Sequence, residues 1–71
     1  MNRTETMNLI LKSEIVRDEL RKFPDDVDAV VAANVLTFYR RTALETGTVE
    51  FSLLAGAVHT GETVLRKLLG N

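Results

Sequence analysis

Apolar residues recur along this chain at helical spacing in three blocks, separated by Pro24 and by Gly47. In the first block, at 100° per residue, Leu9, Val16, Leu20 and Phe23 fall on one stripe. Met7, Leu11 and Ile15 fall on a second stripe nearly opposite, with Ile10 between the two. In the middle block Val27, Val30, Val31, Val35 and Phe38 make a bulky face, while Ala29, Ala32, Ala33, Leu36 and Ala43 make a smaller-grained one. The last block sets Phe51, Leu54, Val58, Gly61, Leu65, Leu68 and Leu69 against Ser52, His59, Thr63 and Arg66. The spacing predicts an all-α domain spanning 1–71, with helices over 4–23, 25–46 and 49–69.

Polar residues at the block ends support those limits. Thr4 can cap the first helix, with Glu5 in its first turn where the helix dipole favours an anion. Glu14 with Arg17, and Asp18 with Arg21 and Lys22, stand at pairing distance along it. Pro24, Asp25, Asp26 and Asp28 open the second helix, and Arg40 and Arg41 lie near its negative end. Between Ala29 and Tyr39 there is no charge, which predicts that the middle helix is the most buried. Gly47 suits a left-handed helix end. Thr48–Leu53 also alternates with period two, as a short strand would, but the pattern continues helically to Leu69.

Size changes the picture. In a chain of 71 residues one core supplies only about 3–5 kcal/mol. Leu, Ile, Val and Phe make up about a third of the residues, so the chain should fold. With no Cys and a single His, neither disulfides nor a structural zinc site can reinforce it. A second subunit can, and a first helix that is apolar on two sides needs two neighbours. A homodimer is therefore expected, with Met7, Ile10, Leu11, Ile15 and Asn34 at its interface. Asn34 falls within the Val/Phe face, where an amide can fix the register of a helix pair.

The charge balance, −1 overall, has no basic stripe of the kind that holds proteins to phosphate backbones. The start of the chain has no signal-like apolar run and no block is long enough to span a bilayer, so a cytoplasmic location is expected.

Candidate chemistry is sparse. Ser52 and His59 share a helix face, but two turns separate them by roughly 10 Å, so with Glu62 they make no triad within one chain. Asp25, Asp26 and Asp28 lack the alternation of an EF-hand loop and are accounted for by capping. Gly56 and Gly61 have no phosphate-loop context and point to close helix packing. No enzymatic activity, cofactor or metal is expected.

The stretch from Tyr39 to Leu53 carries Ala43 four residues before Gly47, with Leu53 as an apolar anchor beyond the turn. It resembles the turn of phage-repressor-like helix-turn-helix domains, which implies a dimeric DNA binder reading with Thr48–His59. Thr46 and Thr48 replace the usual apolar residues, and the reading segment is rich in Leu, Ala and Gly with Glu50 at its start. An ordinary helix–Gly–helix connection accounts for the same residues.

Arg17, Arg21, Arg40, Arg41, Arg66 and Lys67 suit a solvated face. Tyr39, Arg40 and Arg41 are the residues of the type most enriched at binding hot spots, and are the expected contact for a partner. The leading expectation is a non-enzymatic regulator acting on a larger protein as inhibitor, adaptor or anti-activator. A helix-turn-helix regulator and a small structural assembly subunit are the alternatives.

Overall fold

The computed structural model describes residues 3–46 and 51–70. They form three helices, α1 (Arg3–Leu20), α2 (Val27–Thr46) and α3 (Phe51–Leu68), each packed against the other two. The bundle measures 34 × 21 × 15 Å. The expected Gly47 helix end, and the ambiguous start at Thr48–Glu50, lie outside the described residues.

Helix limits differ from the periodic pattern at the start of α1 and around Pro24, for local reasons, while α2 ends at Thr46 as expected. α1 already includes Arg3, so Thr4 stands inside the first turn rather than capping it. It stops at Leu20, three residues short of the pattern, because the chain turns through Arg21–Asp26 ahead of and across Pro24. Phe23 leaves the helix but stays half-buried against the core. α2 begins at Val27 with Asp26 as its cap. The Asp26 Oδ1 accepts from the Ala29 amide at 2.9 Å, and its carbonyl accepts from the Val30 amide at 3.0 Å.

The core is built from Val16 and Leu20 of α1, Ala29, Ala32, Ala33 and Leu36 of α2, and Val58 of α3. α2 thus turns its small side chains inward, which lets three short helices close on one another. α2 supplies four of the seven core-cluster residues but is not buried all round: it buries Ala29, Ala32, Ala33 and Leu36, and its Val/Phe face points away from the core. An uncharged run reads as buried all round, but here it has one inner and one outer face.

α3 follows its pattern closely. Leu54, Val58 and Gly61 are buried, Leu65 and Leu68 pack on the core, and Ser52, His59, Thr63 and Arg66 are exposed. Gly61 sits where α3 packs tightly against α1 and α2. A Cβ there would stand 2.8 Å from Val16 Cγ1 and 3.3 Å from both Leu20 Cδ1 and Leu36 Cδ1. Gly56 is different: it has nothing within 4 Å, so close packing does not account for it.

Candidate interaction surface

Among the described residues, twelve large apolar side chains are exposed. Ile10, Val16, Leu20, Leu36, Leu54 and Val58 are buried, and Leu9, Phe23, Val64, Leu65 and Leu68 pack half-buried against the core. Single exposed apolar residues are ordinary; contiguous patches mark binding surfaces. Here six of the twelve lie on α2, three on α1, and three (Phe51, Leu53 and Leu69) on or just beyond α3.

The larger patch is the outer face of α2. Val27, Val31 and Phe38 are 75%, 55% and 62% exposed, with Val30 and Val35 flanking them and Asn34 exposed in their midst. The sequence spacing Val27–Val31–Asn34–Phe38–Arg41 alternates four and three, the interval of a helix–helix seam. Val31 and Val35 also form one wall of a shallow apolar groove of about 250 Å³, closed on the α3 side by Ala57, Thr60 and Val64. Val30 and Asn34 border the groove between α1 and α2, beside Leu20, Arg21 and Pro24.

The second patch is the α1 stripe Met7, Leu11 and Ile15, all exposed on the side of α1 away from Val16 and Leu20. Ile15 reaches the groove between α1 and α3, beside Leu65 and Leu69. Of the five residues expected at a dimer interface, Met7, Leu11, Ile15 and Asn34 are exposed, but Asn34 is on α2, bordering a different groove from Ile15. Ile10 is buried in the chain's own interior and is not accessible to a second copy.

Tyr39, Arg40 and Arg41 do not form a common surface. Consecutive helical residues point about 100° apart, so side chains adjacent in sequence diverge. Tyr39 is half-buried, edge-on to Phe38 with ring centroids 5.5 Å apart. Arg40 turns toward α1, where its Nη2 pairs with Glu14 Oε1, and its Nε is buried without a hydrogen-bond partner. Arg41 alone is exposed.

The ion pairs also differ from those expected along α1. Glu14 pairs across to Arg40 rather than with Arg17, and Arg17 pairs with its neighbour Asp18 at 3.1 Å. Lys22 pairs with Glu19 at 2.9 Å, and Arg21 donates to Thr37 Oγ1 at 3.2 Å. Lys12 and Glu62 join α1 to α3 at 3.4 Å. Glu14 and Arg21 thus find tertiary partners on α2, while Arg17 and Lys22 pair locally with other carboxylates than those expected.

The polar residues considered for chemistry are otherwise engaged or apart. Glu62 is paired to Lys12, Asp26 caps α2, and His59 is exposed and gives its carbonyl to Thr63 Oγ1. Among the described residues no three His, Cys, Asp or Glu side chains are grouped to hold a metal, and no helix is long and apolar enough to cross a membrane. The described part of the helix-turn-helix reading segment exposes Phe51, Ser52, Leu53, Gly56 and His59, a surface without Lys or Arg. Comparison of the chain with protein-family models, curated proteins and solved structures finds no match.

Proposed function

We propose that this chain is a small non-enzymatic regulator that acts, as a homodimer, by binding a larger protein as inhibitor, adaptor or anti-activator. The supporting observation is that twelve large apolar side chains stay exposed, eight of them in two patches on α1 and α2. A folded chain this small has little core to spare, so apolar residues kept outside call for an interaction that covers them. Two patches allow two contacts, one with a second copy and one with the partner. A cytoplasmic setting is part of this reading.

Affinity capture from native host extract tests it. The expected result is a larger protein retained by the wild-type chain and released when Leu11→Asp introduces a charge on the α1 stripe. Recovery of the chain alone counts against the partner. The same two patches also suit a small assembly subunit, since contacts on different faces can propagate. Particles well beyond a dimer by light scattering favour that second reading.

A further inference from the structure

We draw no further inference here: the strongest candidate, the exposed Val27, Val31 and Phe38 face of α2 with the shallow groove it shares with α3, is an unpartnered apolar surface, and nothing in the structure shows what covers it.

Discussion

Gly61 of α3 stands so close to Val16 of α1 that a methyl group at position 61 would lie 2.8 Å from the Val16 Cγ1. That separation is well inside van der Waals contact, and Leu20 and Leu36 close the remaining sides at 3.3 Å. All three neighbours are core residues, which limits how far any of them can yield.

The first prediction compares two glycines of the same helix. Gly61→Ala gains about 0.8–1 kcal/mol of helix propensity and loses about 1–3 kcal/mol to overpacking. A net loss of roughly 1 kcal/mol is expected, lowering Tm by about 4–8 °C in a domain of this size. Gly56→Ala meets nothing within 4 Å and should raise stability by about 0.5–1 kcal/mol. Denaturant unfolding of both variants, at a fixed protein concentration, reads the opposite signs directly.

A second prediction concerns the pair between Glu14 and Arg40. Its side chains are 31% and 28% exposed, so the charges are only partly screened. Glu14→Ala would leave a half-buried guanidinium whose Nε already lacks a partner. A loss of roughly 1–2 kcal/mol is expected, between the values for exposed and buried pairs. Glu19→Ala, which breaks the exposed pair with Lys22, should cost less than about 0.5 kcal/mol. A double-mutant cycle across Glu14 and Arg40 should return a coupling near 1 kcal/mol that shrinks in high salt.

Much of the architecture was legible in the residue pattern, and the misses share a cause. Three helices follow from apolar spacing, and α3, with one apolar and one polar side, could be oriented from sequence alone. α2 has two apolar sides, and periodicity separates them without saying which is inward. The inner side is the one with Ala29, Ala32 and Ala33, because short helices approach closely only over small residues. The more hydrophobic Val/Phe side is left outside. Likewise, adjacency in sequence suggested that Tyr39, Arg40 and Arg41 act together, whereas the helix sends them apart. The seam spacing from Val27 to Arg41 was present in the sequence, but its exposure was not.

Capping supplies a third prediction. Asp26 accepts the Ala29 amide at 2.9 Å and has no equivalent in the turn before it. Asp26→Ala should destabilise the domain by about 1 kcal/mol, and Asp26→Asn by much less, because an amide oxygen caps nearly as well. Thermal unfolding of the two variants side by side distinguishes loss of the cap from loss of charge.

Ser13 gives a fourth. It is almost fully buried, and its hydroxyl donates to the Ile10 carbonyl within the same helix at 2.6 Å. That carbonyl is also available to the helix's own amides, so the bond satisfies the hydroxyl more than it supports the fold. Ser13→Ala removes donor and desolvation cost together and introduces a better helix former. Stability should change by less than about 0.5 kcal/mol in either direction. A larger loss by chemical denaturation would mean the hydroxyl has a role beyond this bond.

Leu36 and Phe38, two residues apart on α2, set the fifth prediction. Leu36 is 0% exposed and Phe38 is 62% exposed. By side-chain size alone the Phe should matter more. By position, Leu36→Ala should cost about 2–5 kcal/mol, enough to unfold most of a domain whose core supplies about that much. Phe38→Ala should leave the unfolding of a dilute, monomeric sample nearly unchanged. If the exposed Phe38 is covered by association, the ranking should narrow at high concentration, because binding adds stability by mass action. Unfolding midpoints measured at low and high protein concentration therefore separate what Phe38 contributes to the fold from what it contributes to association. A Phe38→Ala loss that is equally large at both concentrations would place that ring in the folding core of the single chain.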